Sequence, residues 1–385
     1  MRQQPSKQPL QNLHIAFDAD DIDAVVRAFN SRSFSGKSPI IQDYEEVISG
    51  YFGVPHALAC SNGTVAIELA LRALGLGEGD RVALPPTAPV MTILPLFNLR
   101  CEPVFYDVAE DTFGPDLDDL ERLARDGLAA VITVPMWGYP FDMAPVQAFC
   151  TAKNLFLIED CAHAFGAHAG NGLFGTFGDV ATFSTHERKL VSTGEGGFCL
   201  IRRAAVHERM KSWLHHGATW DAAGGYALGT QLGSNCKLPP LCAALGISQF
   251  EKLDRKIAAR RERVVAVRSR LQSCPGLLEF QRFQGLEING YAMVYWVHPD
   301  LCAADLGGKM QEAGIISDTV RYAYKPLYEE PAFRAFERRC PNAEKMISSI
   351  LTIPCHEGLS EGDIRYIAET VHGLFHAGTA LEQAS

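Results

Sequence analysis

The feature that most constrains the fold is an alternation running through the first two-thirds of the chain. Short, almost continuously apolar segments occupy residues 81–84, 103–108, 129–134, 155–159, 180–184 and 198–201. Segments of helical spacing fall between several of them. Ile40, Ile41, Tyr44, Val47, Ile48 and Tyr51 mark a helix over residues 39–52, and residues 64–76, 117–125 and 144–153 read the same way. Strands that lack polar alternation are buried on both faces. The pattern therefore predicts an α/β fold with a mostly parallel sheet covered by helices on both sides.

Near Gln249 the texture changes. A long charged helix over residues 251–271 leads to an aromatic strand at 290–297 and a helix at 303–313. Strands at 315–322 and 350–354 follow, and a last helix opens at Ser360, with Asp363 completing a capping box. A chain of 385 residues exceeds the usual size of one core. The expected division is a large domain over residues 1–250 and a smaller C-terminal α+β domain over 251–385.

Composition narrows the partners. The formal charge of −10 disfavours nucleic acid, which needs clustered positive charge. The stretch from Lys252 to Arg270 holds six Arg and two Lys, but acids are interleaved at helical spacing, so it reads as a solvated helix face. The first ten residues lack the apolar core of a signal peptide, and no run approaches the ~18 apolar residues of a membrane span. Eleven cysteines without a CxxC pair point to a reduced, cytoplasmic protein. The acidic residues 18–21 read as a helix start, where carboxylates complement the dipole. His215-His216 lacks a third ligand at metal spacing, so no metal is expected.

The chemistry concentrates between Ile158 and Gly197. Asp160 follows an apolar strand, and strand carboxyl ends face the ligand crevice of open α/β sheets. A carboxylate there can pair with a pyridinium nitrogen; it can equally cap the next segment. Lys189 follows the strand 180–184 and precedes a glycine-rich segment. A lysine reaching back into such a crevice can lose its proton and form an imine with an aldehyde, although a lone lysine is ordinarily solvated. The succession of Asp160 and Lys189 on neighbouring strand ends, with Ser184, Gly194, Gly196 and Gly197 around them, favours the active reading. Upstream, Ser61-Asn62-Gly63-Thr64 precedes a helix whose open N–H groups suit a phosphate; a simple N-cap explains the same residues.

Four motifs in order then carry a resemblance covering residues 34–374. They are Ser61-Asn62-Gly63-Thr64; Glu159-Asp160-Cys161-Ala162-His163; Phe183-Ser184-Thr185-His186-Glu187-Arg188-Lys189 with Thr193 to Gly197; and Gly233-Ser234-Asn235-Cys236-Lys237 with Ala243 to Gln249. The chain resembles the DegT/DnrJ/EryC1/StrS family of sugar aminotransferases, which depend on pyridoxal 5′-phosphate (PLP) and have the fold-type I, aspartate aminotransferase-like architecture. The resemblance implies a PLP Schiff base on Lys189, which also shuttles the proton. It implies Asp160 at the pyridine nitrogen and His163 against the ring or its phenolic oxygen. Gly63, Thr64 and Ser184 would hold the phosphate. Asn235 would reach the cofactor phosphate of a second copy, implying a homodimer with shared active sites.

The implied reaction moves an amino group from glutamate or glutamine to a keto-sugar, nucleotide-linked in much of the family, or to a keto-cyclitol. The sequence departs from the pattern at Pro89, which stands where an aromatic residue usually stacks on PLP and offers less contact area. Leu190 stands where Asn is common, and Lys237 where Arg is usual. Three rivals remain open. Sugar 3-dehydration on the same scaffold uses His in place of the Schiff-base lysine, which Lys189 argues against. A PLP-binding regulatory protein without turnover, and a binding domain without PLP, are separated from the enzyme by the cofactor's absorbance band.

Overall fold

A computed structural model describes residues 9–220, 225–229, 231–280 and 283–382. The main sheet has seven strands: β1 (His56–Cys60), β2 (Arg81–Leu84), β3 (Glu102–Phe105), β4 (Ala130–Thr133), β5 (Phe156–Asp160), β6 (Val180–Ser184) and β7 (Gly197–Ile201). Their order is β1-β7-β6-β5-β4-β2-β3, and β7 alone runs against its neighbours. Every residue of β4 and β7 is buried, which is why both read as unbroken apolar runs. β1 is the strand that periodicity does not announce. Its sequence, His-Ala-Leu-Ala-Cys, contains no β-branched or aromatic residue.

Around this sheet lie α1 (Ala19–Asn30), α2 (Pro39–Phe52), α3 (Gly63–Leu74), α4 (Val90–Asn98), α5 (Leu117–Arg125), α6 (Ala144–Lys153), α7 (Ala204–Leu214) and α8 (Pro240–Glu251). Helix α3 packs on β6 and β7 and touches both α4 and α7, so its N-terminus is fixed over the sheet's carboxyl edge. Asp18 caps α1 in a capping box with Asp21, as the acidic run predicts. A two-stranded ribbon, β8 (Thr219–Trp220) with β9 (Tyr226–Ala227), lies between α7 and α8 in the chain.

The expected long helix at 251–271 breaks at Lys252, where α8 ends and α9 (Leu253–Leu271) begins. It leads to a second, antiparallel sheet of β10 (Leu277–Glu279), β11 (Met293–Val297) and β12 (Ile350–Ile353), in that order. Helices α10 (Ala303–Glu312), α11 (Asp318–Arg321), α12 (Pro341–Ser349) and α13 (Glu361–Glu382) accompany it. The predicted Ser360 cap forms, with Ser360 Oγ accepting the Asp363 N–H at 3.1 Å and Asp363 Oδ2 accepting the Ser360 N–H at 3.0 Å.

One strand expectation fails. Residues 315–322 make a single bridge, Ile315 to Leu10, and then turn into α11. The Asp318 N–H goes to Thr352 Oγ1 at 2.7 Å and Ser317 Oγ accepts the Thr352 N–H at 3.0 Å. These side-chain bonds replace a strand ladder and set up a helix start. The first described residues also lie against this region, since Asn12 Nδ2 donates to Asp318 Oδ2 at 2.7 Å. Among the described residues no helix is long and apolar enough to cross a membrane, and no group of three or more His, Cys, Asp or Glu could hold a metal ion.

Candidate active site

Strands β5 and β6 are parallel neighbours, so their carboxyl ends open on the same edge of the sheet. The two acids that end β5 point to opposite faces, as alternation requires. Glu159 accepts the N–H groups of Gly175 at 2.8 Å, Phe177 at 2.9 Å and Gly178 at 2.7 Å, pinning the glycine-rich loop. Asp160 is 5% exposed and has fewer partners. Thr92 Oγ1 donates to its Oδ2 at 2.6 Å and the Ala162 N–H to its Oδ1 at 3.3 Å. Burial raises the Asp160 carboxyl above its ordinary range, although Thr92, Ala162 and the nearby Lys189 charge pull it back in part.

Lys189 lies in a tight turn beyond β6. The Lys189 N–H donates to His186 O at 2.9 Å, the Glu187 N–H to Gly194 O at 2.8 Å, and the Thr185 and Thr193 hydroxyls pair at 2.6 Å. A Cβ on Gly196 would meet Thr185 Oγ1 at 2.3 Å, so only glycine lets this turn close. Burial lowers the Lys189 ammonium to about 8, against the opposing pull of Asp160 and Asp318 and with repulsion from Arg188. Its Nζ stands 5.5 Å above the ring of Tyr291, a residue that precedes β11.

Tyr291 also stacks on His163, with ring centroids 4.2 Å apart. The Trp137 N–H donates to His163 Nδ1 at 3.3 Å, which assigns the ring proton to Nε2. Burial holds this imidazole well below its usual range, so it is a neutral donor at physiological pH.

The second cluster lies at the start of α3. Asn62, not Ser61, caps the helix, its Oδ1 accepting the Val65 N–H at 2.8 Å. The Gly63 and Thr64 N–H groups are then the open ones. A Cβ on Gly63 would lie 2.7 Å from Ser184 Cβ, and one on Gly197 would lie 2.6 Å from the Asn62 carbonyl carbon. Two glycines thus seat the helix end directly on the β6–β7 pair and bring the Ser184 hydroxyl beside it.

The structure therefore gathers Asp160, His163 and Lys189 into one group and Gly63, Thr64 and Ser184 into an adjoining one, linked through β6. Pro89 caps α4, one turn before Thr92. Asn235 is exposed. Its segment bridges to His215 and Cys60, and the Ser61 N–H donates to Cys236 O at 2.9 Å. Sequence reasoning did not single out Thr92, Tyr291 or Asp318, and it read Arg188 only as part of the motif around Lys189. Only the helical spacing of Thr92 from Pro89 hints at its place; Tyr291 and Asp318 come from long-range packing.

An amine of lowered basicity, a buried carboxylate and a glycine-seated anion cradle fit a phosphorylated pyridine aldehyde. Comparison with known proteins agrees. The profile of the DegT/DnrJ/EryC1/StrS aminotransferase family matches residues 16–372. The GDP-perosamine synthase of Escherichia coli O157:H7 is 28% identical over 356 residues, covering 91% of this chain and 94% of that one. The dTDP-4-dehydro-2,3,6-trideoxy-D-glucose 4-aminotransferase of Saccharopolyspora spinosa is 29% identical over 376 residues, covering 93% and 95%. Among solved structures, Helicobacter pylori PseC, an aminotransferase involved in the biosynthesis of pseudoaminic acid, superposes with a TM-score of 0.88 at 23% identity, covering 96% of this chain and 100% of that one. The architecture is that of fold-type I aminotransferases.

Proposed function

The chain belongs to the DegT/DnrJ/EryC1/StrS aminotransferase family, and from that premise we propose that it aminates a nucleotide-linked keto-sugar, taking the amino group from glutamate or glutamine with PLP held on Lys189. The observation that carries this reading is that Lys189, its ammonium lowered to about 8 by burial, and the buried Asp160 come together at the carboxyl edge of the sheet. The names of the relatives support the acceptor class: a GDP-sugar product in one and a dTDP-linked 4-dehydro sugar in the other. They differ in nucleotide and sugar, so neither specific substrate is carried over.

When bound, PLP supplies a conjugated ring that takes up the electron pair released at the carbon bearing the transferred amine. The residues of this chain do the rest. Gly63, Thr64 and Ser184 hold the phosphate with N–H and O–H donors at the positive end of α3. Asp160, oriented by Thr92, faces the ring nitrogen and keeps a proton there. His163 offers its Nε2 proton toward the ring's phenolic oxygen. Lys189 would hold the cofactor through Nζ, and its amine, neutral once free, could accept and return a proton there. Pro89, at the start of α4, would lie against the ring where the family usually has an aromatic side chain.

We extend the proposal to a homodimer in which Asn235 serves the phosphate of a second copy. Its support is that Asn235 is exposed and that Leu232, three residues earlier, is 81% exposed.

The test is spectroscopic. PLP-loaded wild type should show an absorbance band near the visible edge that disappears on adding glutamate and returns on adding a nucleotide-linked 4-keto sugar. Lys189→Ala should never form the lysine-bound band. No band in PLP-saturated wild type would overturn the proposal.

A further inference from the structure

Arg188 immediately precedes Lys189 and is half-buried. Its Nη1 donates to the Tyr322 hydroxyl at 2.9 Å, across to the segment that follows α11. Among the described residues no carboxylate lies within ion-pair distance of it. The bond to Tyr322 ties the turn carrying Lys189 to the segment after α11 and holds the guanidinium between them.

The neighbouring cations are engaged. Arg260 is paired with Glu357 at 2.6 Å, Lys256 donates to Leu190 O at 3.2 Å and to Gln249, and Arg321 donates to Gln11. Asp318 is 6% exposed and accepts a hydrogen bond from Asn12. With Nη1 bound to Tyr322, the Nε–Nη2 edge of Arg188 meets no carboxylate among the described residues, and such an edge receives a carboxylate through two parallel hydrogen bonds.

Resting on the amino-transfer reading above, we propose that Arg188 is the site that binds the α-carboxylate of the amino-acid donor, with Tyr322 holding the guanidinium in place. In an α-amino acid the carboxylate and the amine share one carbon. A cation that receives the carboxylate while the amine meets the Lys189 position must therefore lie beside that lysine. The phosphates of a nucleotide-sugar are a full sugar ring away from a 4-keto carbon, so they do not suit this position. Arg188 thus serves the first half-reaction and not the second. Tyr322 is 57% exposed, so the guanidinium it holds can be reached from solvent.

The test uses Arg188→Gln, Arg188→Lys and Tyr322→Phe in the full chain. Two measurements are made: single-turnover loss of the cofactor band with glutamate or with an amino-sugar nucleotide, and calorimetric titration with glutarate, which has carboxylates but no amine. Arg188→Gln should raise the half-saturating glutamate concentration roughly 10- to 100-fold, the weight of a charge-assisted hydrogen-bonded pair. It should weaken glutarate binding in parallel and leave the amino-sugar reaction within about 2-fold. Arg188→Lys should recover part of the loss, and Tyr322→Phe should show a smaller one. Equal losses with both amines, or glutarate binding indifferent to Arg188, would overturn the assignment. The titration needs no cofactor, so Arg188-dependent glutarate binding by a protein that takes up no PLP would sink the amino-transfer reading and leave the carboxylate site standing.

Discussion

Helix α9 and the carboxyl edge of the main sheet both bury charge, and they do so largely in opposite ways. Along α9 the charges are mostly matched by opposite ones, with an exception at Lys256, which burial lowers to about 8 and whose bonds go to Leu190 O and Gln249. Arg260 pairs with Glu357 at 2.6 Å, Arg268 with Glu279 at 2.7 Å and Glu287 at 3.1 Å, and Lys252 with Asp18 and with Asp21, the latter at 3.0 Å. Burial pushes Asp21 up, but hydrogen bonds from Ser248, Gln249, Asp18 and Lys252 outweigh it and hold the carboxyl at about 2. At the sheet edge the charges are near one another and unmatched. Lys189 is held at about 8, Asp160 is pushed up, and Arg188 has a phenol for company. Matched charges fix how the second sheet and the N-terminal segment attach to the first. Unmatched ones are strained by burial and relieved by a ligand, which is what a site requires.

The sharpest way to break the comparison is to remove one charge from each region. Lys189→Ala should lower turnover by ~10⁴-fold, the upper range for a proton-transferring side chain, with the melting temperature unchanged or raised, because an unmatched buried amine has gone. Arg260→Ala should do the reverse. Leaving Glu357 buried without its partner costs about 3–5 kcal/mol of stability, read as a lower denaturant midpoint, while the fraction that stays folded keeps its activity. If Lys189→Ala unfolds the chain, or Arg260→Ala abolishes turnover in folded protein, the distinction between the regions fails.

Asp160→Asn comes next in size. It removes the charge but keeps the shape and the Thr92 contact. Turnover should fall on the order of 10²–10³-fold. The Asp160 anion favours the protonated form of Lys189, so its loss should also move the Lys189 titration to lower pH. That shift is measurable in cofactor-free protein as the pH dependence of imine formation with added PLP, whose midpoint in wild type should lie near 8. A midpoint that stays put would mean that the two groups do not face each other.

The comparison also explains what could be read from the chain alone. The parallel sheet was legible because β4 to β7 are buried along nearly their whole length and read as largely apolar runs. Glu159-Asp160 and Arg188-Lys189 were legible as motifs because glycines and strand ends surround them in sequence. β1 was not, since two alanines and a cysteine carry no strand preference. Residues 315–322 were read as a strand from Ile315 and Ile316, while the outcome was decided by Thr352, more than thirty residues away. Tyr291, Thr92 and Asp318 reach the site from separate elements, so no local pattern announces them. Local periodicity fixes layers; it does not fix which distant polar group arrives beside which.

The smallest effect tests the matched region by pH. The folded Asp21 carboxyl titrates at about 2, below its ordinary value of 3.8. The unfolded chain therefore binds a proton there more readily than the folded one does. The stability contributed is fully present above about pH 4, and it fades as pH falls from there through about 2. Asp21→Asn removes this contribution, so its denaturant midpoint should be lower than that of wild type at neutral pH and should approach it as the pH drops toward 2. Lys189 works with the opposite sign. Its lowered basicity means that the folded chain is disfavoured wherever the unfolded lysine is charged, so Lys189→Met should gain on wild type at pH 6 and lose that gain above pH 10. Parallel midpoint-versus-pH curves for the two variants should bend at opposite ends of the scale. Curves that bend at the same end would show that both regions bury charge under the same rule.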